Sequence, residues 1–174
     1  MSREDEGDKR VADIDAAIRV VPDFPKPGIK FRDVTTLLSN YKAFKDTIDL
    51  FVERYSDKKI DVVAAIEARG FIFGAPIALA LGAKFVPLRK PGKLPGETIS
   101  EAYTLEYGKD CMEMHVGAVT AGERALVIDD LIATGERAEA EVVECACVIG
   151  LVDQKGQEKL GGTPLFVLVE CEGD

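Results

Sequence analysis

The chain has 174 residues, a length that suits one domain with a single substantial core. Its composition, 47% hydrophobic and 30% charged, is that of an ordinary globular protein, and its apolar run over residues 75–82 is far too short to span a bilayer. A formal net charge of −9 disfavours nucleic acid, which requires a basic footprint.

Residues 1–8 are dominated by charge and read as a disordered lead to a domain over residues 9–174. With no apolar core in that lead, neither a secretory nor a transit peptide is expected, and the cytoplasm is the expected compartment. From Lys9 onward, Val11, Ile14, Ile18 and Val21 recur at helical spacing and predict a short amphipathic helix that ends before Pro22. The next seven residues, Pro22-Asp-Phe-Pro-Lys-Pro-Gly28, hold three prolines and a glycine and predict a stiff irregular loop. Residues 43–55 return to helix period, with Phe44, Ile48, Phe51, Val52 and Tyr55 on one face.

Val62 to Ile66 is a continuous apolar strand, as a parallel sheet covered on both faces requires. Glu67-Ala-Arg-Gly70 predicts a tight turn, residues 71–81 an apolar helix ended by Gly82, and Phe85 to Leu88 the next strand. Residues 90–110 are rich in Gly, Pro and Lys and predict a functional flap, because excursions of that length are rarely plain connectors. Cys111 to Val119 alternates as a strand on a sheet edge, and residues 121–124 turn the chain into a central strand over 125–129. Val142 to Ile149 and Leu165 to Val169 supply further strands. This alternation predicts a doubly wound α/β fold with a central, mostly parallel sheet flanked by helices. Of the four cysteines, Cys145 and Cys147 alternate along an apolar strand and are expected to be buried thiols; with Cys111 and Cys171 they show no C-x-x-C spacing. The only histidine, His115, is expected on a half-exposed strand with no chemical role.

Residues 125–135, Ala-Leu-Val-Ile-Asp-Asp-Leu-Ile-Ala-Thr-Gly, carry the most chemistry. An apolar strand turns polar at Asp129 and Asp130, and both cannot be core residues, because an unpaired buried charge costs several kcal/mol. The carboxyl end of a strand in an α/β sheet is where such folds bind ligands. The small-residue turn Ala133, Thr134 and Gly135 offers N–H groups and a hydroxyl to an anion. Acids for sugar hydroxyls and a turn for a phosphate describe a ribose 5-phosphate site. Arg89, Lys90 and Lys93, close together after a strand in an acidic chain, point to a small polyanionic substrate.

This run resembles the phosphoribosyl diphosphate signature of the type I phosphoribosyltransferases. Four further segments match one branch of that family in order. Residues 22–33 look like the adenine-specificity loop of adenine phosphoribosyltransferases, and Glu67-Ala-Arg-Gly70 is similar to the family's pyrophosphate loop. Arg89-Lys-Pro-Gly-Lys-Leu-Pro-Gly96 and Tyr103-Thr-Leu-Glu-Tyr-Gly108 resemble the two ends of its flap. The resemblance implies a type I phosphoribosyltransferase fold with an N-terminal hood loop, about 9–40, and a mobile flap, about 90–110. It implies transfer of the 5-phosphoribosyl group from phosphoribosyl diphosphate to adenine, giving AMP and diphosphate in purine salvage, with Mg2+ carried by the diphosphate. A homodimer is implied too, with no nucleic-acid or membrane partner.

The roles it carries over are specific. Phe31 would stack on adenine while backbone groups of Lys30 and Arg32 read its Watson–Crick edge. Arg69, Arg89, Lys90 and Lys93 would neutralise the diphosphate, and Gly70 would leave the turn open to phosphate oxygens. Glu106, brought in on the flap, would manage the proton of the base, with Tyr107 and Tyr103 closing the lid. Asp129, Asp130, Ala133, Thr134 and Gly135 complete the phosphoribosyl site.

One departure stands out. After Gly135 the family's loop continues Gly-Thr into a helix of about three turns; here Glu136-Arg-Ala-Glu-Ala-Glu141 follows at once, with a strand expected near Val142. Residues 130–141 must supply both phosphate loop and crossover, and a parallel crossover alone needs at least about 10–12 residues. Glu136 and Glu139 also bring negative charge to a phosphate site. An alternative expectation is therefore a shortened, catalytically impaired member that serves as a dimerisation or ligand-sensing protein.

Overall fold

A computed structural model describes residues 8–105, 108–130, 141–151, 160 and 162–171. The chain divides into two compact units, Met1–Phe51 and Val52–Asp174.

In the first unit, α1 (Lys9–Ala17) starts at Asp8, whose carboxylate accepts the Arg10 N–H at 2.9 Å, an N-cap that satisfies one of the helix's orphan donors. The helix stops at Ile18, which is extended, so Val21 falls in a strand and not on the helix face its spacing suggests. Strand pairing overrides the helical period there: β1 (Arg19–Pro22) runs antiparallel to β2 (Lys30–Asp33), from Arg19↔Asp33 to Pro22↔Lys30. The proline loop joins the two strands. The Asp23 carboxylate accepts the Gly28 N–H at 2.7 Å, and the Phe24–Pro25 peptide is cis. The short helix α2 (Thr35–Leu38) follows, with the Asp33 carboxylate accepting the Thr35 N–H at 2.9 Å. Helix α3 (Tyr41–Tyr55), whose last four residues belong to the second unit, begins with Asn40 Oδ1 accepting the Ala43 N–H. Its buried stripe is Ala43, Thr47, Phe51 and Tyr55, spaced by four, whereas Phe44, Ile48 and Val52 are only half-buried. Thr47 can lie inside because its hydroxyl donates to the Ala43 carbonyl at 2.8 Å.

The second unit is built on a five-stranded sheet of order β4-β3-β7-β8-β9, parallel throughout. Its strands are β3 (Val62–Ile66), β4 (Lys84–Leu88), β7 (Arg124–Asp129), β8 (Glu141–Leu151) and β9 (Leu165–Cys171). Val62, Val63 and Ala65 are fully buried, which explains the unbroken apolar run: both faces of the sheet are covered. On one face lies α4 (Arg69–Leu81), ended by Gly82 in the left-handed conformation. The helix approaches closely through Gly74, where a Cβ would stand 2.6 Å from the Ala65 Cβ. On the other face Val62, Ala64, Val86 and Ala125 form a core cluster packed by Met114, Ala118 and Val119.

Met114 lies on a hairpin, and Ala118 and Val119 follow it. Strands β5 (Thr98–Leu105) and β6 (Gly108–His115) pair antiparallel from Thr98↔His115 to Leu105↔Gly108 as a separate two-stranded sheet. The expected edge strand over 111–119 is thus one arm of this hairpin, tied to the end of β4 by the Arg89↔Glu113 bridge. Half of the Gly- and Pro-rich excursion is therefore strand. Cys145, Cys147 and Cys171 are buried, and half-exposed His115 donates from Nε2 to the Pro95 carbonyl at 2.9 Å.

Within the second unit, buried Glu144 of β8 gathers three side chains near the unit's start. Arg54 donates to it twice at 2.9 Å, the Tyr55 hydroxyl once at 2.5 Å and Lys58 at 3.4 Å. The Arg54 guanidinium also lies 3.9 Å above the Phe166 ring centroid. Burial raises the Glu144 pKa, but the hydrogen bonds from Arg54 and Tyr55 outweigh it and hold the carboxyl below its usual range.

Candidate active site at the carboxyl end of the sheet

Because β3 and β7 are parallel neighbours, with Ala65 opposite Ile128, the turn after Ile66 and the acids after Ile128 emerge at the same edge. The chain passes from Ile66 through Glu67 and Ala68, joined by a cis peptide, and enters α4 at Arg69. Gly70 belongs to the first turn of that helix. A Cβ there would stand 2.8 Å from the Ile128 carbonyl oxygen and 3.3 Å from Asp129, so in this structure β7 itself makes the close approach that only glycine permits.

That approach brings acids and base together. Arg69 donates through Nε to the Asp130 carboxylate, whose side chain is 12% exposed. The Asp130 N–H turns back to Asp129 Oδ1 at 2.7 Å, and its carbonyl accepts from the Ile149 N–H of β8 at 3.1 Å. Burial, then the neighbouring Asp130 carboxyl, pushes the Asp129 pKa up to about 8. Two adjacent acids, one guanidinium-bound and one inclined to keep its proton, can hold a diol with both acceptor and donor groups.

A second cationic group flanks the turn. Arg89, just past β4, donates through Nε to Glu67 at 2.5 Å and through Nη1 to the Lys93 carbonyl at 3.2 Å. Lys90 and Lys93 are exposed on the same short strap. The predicted residues Arg69, Gly70, Arg89, Lys90, Lys93, Asp129 and Asp130 therefore lie on segments gathered at one edge of the sheet. Glu106, Tyr107, Ala133, Thr134 and Gly135 lie outside the described residues. Lys30, Phe31 and Arg32 form β2 of the first unit: Phe31 is half-buried with its ring edge-on to Phe24 at 5.1 Å, and Arg32 pairs with Asp15 at 2.9 Å. Sequence reasoning assigned no role to Glu67 or Glu113. An acid two residues before Arg69 is the only local sign of the first, and its partner Arg89 is brought to it by strand pairing alone.

An open parallel sheet that gathers paired acids and arginines at its carboxyl edge is the framework of a sugar-phosphate-handling α/β protein. Residues 33–161 match the phosphoribosyl transferase domain family. The chain is 67% identical over 176 residues to adenine phosphoribosyltransferase 3 of Arabidopsis thaliana, covering 95% of this chain and 96% of that one. Among solved structures it resembles adenine phosphoribosyltransferase from Thermoanaerobacter pseudethanolicus, with TM-score 0.86, 43% identity, and 92% and 99% of the two chains covered. It also resembles the Saccharomyces cerevisiae adenine phosphoribosyltransferase complexed with an imino-altritol bisphosphate and adenine, with TM-score 0.83, 38% identity, and 92% and 99% coverage. The chain belongs to the adenine phosphoribosyltransferase family, and its fold is the expected type I phosphoribosyltransferase fold. The aligned span with the Arabidopsis relative, 176 residues, exceeds this chain's 174, so that relative carries residues this chain lacks.

Proposed function

We infer that this chain is a pentosyltransferase that moves the 5-phosphoribosyl group of phosphoribosyl diphosphate to adenine, forming AMP and releasing diphosphate. The observation that carries this reading is the junction of Arg69, Asp129 and Asp130 at the ends of β3 and β7, in a chain of this family. Adenine N9 attacks the anomeric carbon as diphosphate departs, through an oxocarbenium-like transition state akin to that of glycoside cleavage. In this reading Asp129 and Asp130 hold the ribose hydroxyls. Arg69, Arg89, Lys90 and Lys93 take the charge that develops on diphosphate, and Ala133, Thr134 and Gly135 bind the 5-phosphate. Phe31 stacks on adenine, with the Lys30 and Arg32 backbone at its polar edge. Glu106 manages the proton of the base, and Tyr107 helps to exclude water that would hydrolyse the activated sugar.

Asp130 is already paired with Arg69 and burial raises the Asp129 pKa, so the diphosphate, and not these carboxyls, would carry Mg2+ to the site. Mg2+ supplies charge neutralisation of the leaving group there. The reading also includes a homodimer. Helix α4 is apolar on its outer side as well as its inner one: Leu79 is 85% exposed, and Ile72 and Phe85 are exposed nearby. A helix apolar all round is normally covered on all sides.

The test is direct. Purified chain with adenine, phosphoribosyl diphosphate and Mg2+ is expected to form AMP and diphosphate in equal amounts. Glu106→Gln is expected to lower kcat far more than it raises KM. Absence of AMP from the wild-type chain would overturn the reading.

A further inference from the structure

We propose that Glu67 is a positioning residue of the diphosphate site, which aims the Arg89 guanidinium and fixes the strap that carries Lys90 and Lys93. The proposal rests on the phosphoribosyl-transfer reading of this edge and names what organises its cations.

The geometry is that of a brace. The Glu67 side chain is 14% exposed, and its two oxygens take different partners: Oε2 accepts from Arg89 Nε at 2.5 Å, and Oε1 accepts the Lys90 backbone N–H at 3.2 Å. The Glu67 N–H in turn donates to the Leu88 carbonyl at 2.9 Å, so the turn before α4 is clipped to the end of β4 at three points. Burial pushes the Glu67 pKa up, but the Arg89 hydrogen bond outweighs it and keeps the carboxyl ionised below its usual range. From the other side Glu113 completes the strap. Its backbone exchanges both hydrogen bonds with Arg89, at 3.0 and 2.7 Å, and its Oε2 accepts the Gly92 N–H at 3.1 Å.

Which atoms of Arg89 are used decides between an aid and a competitor. A carboxylate that competes with diphosphate would take the Nη1–Nη2 edge, the fork that meets phosphate with two parallel bonds. Glu67 takes Nε, and the Lys93 carbonyl takes one Nη1 donor. Of the five N–H donors of a guanidinium, those on Nη2 and one on Nη1 stay available to an anion. Arg69 is held in the same manner, through Nε by Asp130. Arg69 and Arg89 are thus each gripped at the stem by a carboxylate that comes from the carboxyl end of the neighbouring strand.

A long side chain held in one rotamer loses less freedom when it binds, so removing the brace should cost affinity even though it removes a negative charge near an anion. Titration calorimetry of the full chain with Mg2+-diphosphate and, separately, with AMP provides the test. Glu67→Gln is expected to weaken diphosphate binding about tenfold while AMP binding stays within about twofold and thermal stability is nearly unchanged. Glu67→Asp keeps the charge but shortens the arm, and it is expected to lose affinity for diphosphate as well. In an Arg89→Gln background, Glu67→Gln should add less than about a twofold loss, because the residue acts through Arg89. Unchanged or tighter diphosphate binding by Glu67→Gln, wild-type affinity in Glu67→Asp, losses that multiply with those of Arg89→Gln, or an equal loss for AMP would each overturn the proposal. A wild-type chain that binds diphosphate but forms no AMP from adenine would overturn only the transfer reading. One that binds AMP but not diphosphate would overturn both.

Discussion

Arg69 donates through Nε to the Asp130 carboxylate although 61 positions separate them. One opens α4 after β3 and the other follows β7, and the parallel pairing of those strands is what brings them together. The arrangement leaves Asp129 beside a carboxylate already engaged by a cation, so the proton of the pair resides on Asp129.

A pH prediction follows from that residue. The folded chain keeps a proton on Asp129 up to about pH 8, whereas an unfolded aspartate has given it up by about pH 4. The native state therefore binds more protons across this window, and stability falls as pH rises through it. Asp129→Asn, which cannot ionise, is expected to raise Tm at pH 8 by about 2–4 °C, to flatten the decline between pH 5 and 8, and to weaken binding of AMP. Differential scanning calorimetry against pH checks this; an unchanged slope would show that Asp129 is not the titrating group.

Phe31 offers a separation of ligands. Its ring is half-buried against Phe24 within the first unit, and the loop beside it is held by Asp23. Phe31→Ala is expected to weaken adenine and AMP by about 1–3 kcal/mol, the scale of base stacking, while diphosphate affinity holds. Equal losses for all three ligands would mean that the residue serves the fold and not the base.

The connection between β7 and β8 is the third target. Glu141 opens β8 directly opposite Arg124, at the far end of β7 from Asp129. A return along six strand residues covers about 20 Å. The ten residues between Asp130 and Glu141 have to cover that span and, in the reading above, bind the 5-phosphate as well. Inserting Gly-Thr and a three-turn amphipathic helix after Gly135 is expected to raise Tm without ligand and to strengthen AMP binding, with little gain for adenine alone. Equal turnover by the native and lengthened chains would show that residues 130–140 already build a complete phosphate site.

Leu79 tests the assembly. Leu79→Glu on the outer side of α4 is expected to shift the chain from dimer to monomer in light scattering, with Tm changed little at concentrations where both are monomeric. A wild-type chain that is monomeric at micromolar concentration would remove the dimer from the reading.

Glu144 supplies a stability prediction away from the active site. Glu144→Ala removes the acceptor of the buried Tyr55 hydroxyl and of Arg54; because Arg54 itself reaches water, the loss is expected at about 1–3 kcal/mol, the scale of a hydrogen bond to a charged group. Urea denaturation should show that loss. A change below about 1 kcal/mol would mean that water takes over the acceptor's place.

The strands of the central sheet were legible because their signal is local. Residues buried on both faces must be apolar without alternation, and 62–66 and 125–128 are. Gly82 likewise announced the end of α4. The segment around Val21 misled, since a helical period of four apolar residues is a weak preference that pairing with β2 overrides. The stretch 111–119 misled for a related reason: alternation marks a strand with one covered face but does not name the partner, and here the partner is β5.

By itself the sequence determined the order of the central strands and of α4, the family, and the chemical types at the site: two acids after a strand, arginines and lysines near a polyanion, a rigid proline loop. These follow from composition within a few residues, where covalent connection guarantees proximity. Only the tertiary structure decided who holds whom. That Asp130 takes Arg69, that Glu67 takes Arg89, and that Gly70 is needed for the approach of β7 all depend on parallel strands far apart in sequence being hydrogen-bonded neighbours. A carboxylate's partner is set by where the backbone ends point, and no spacing along the chain encodes that directly.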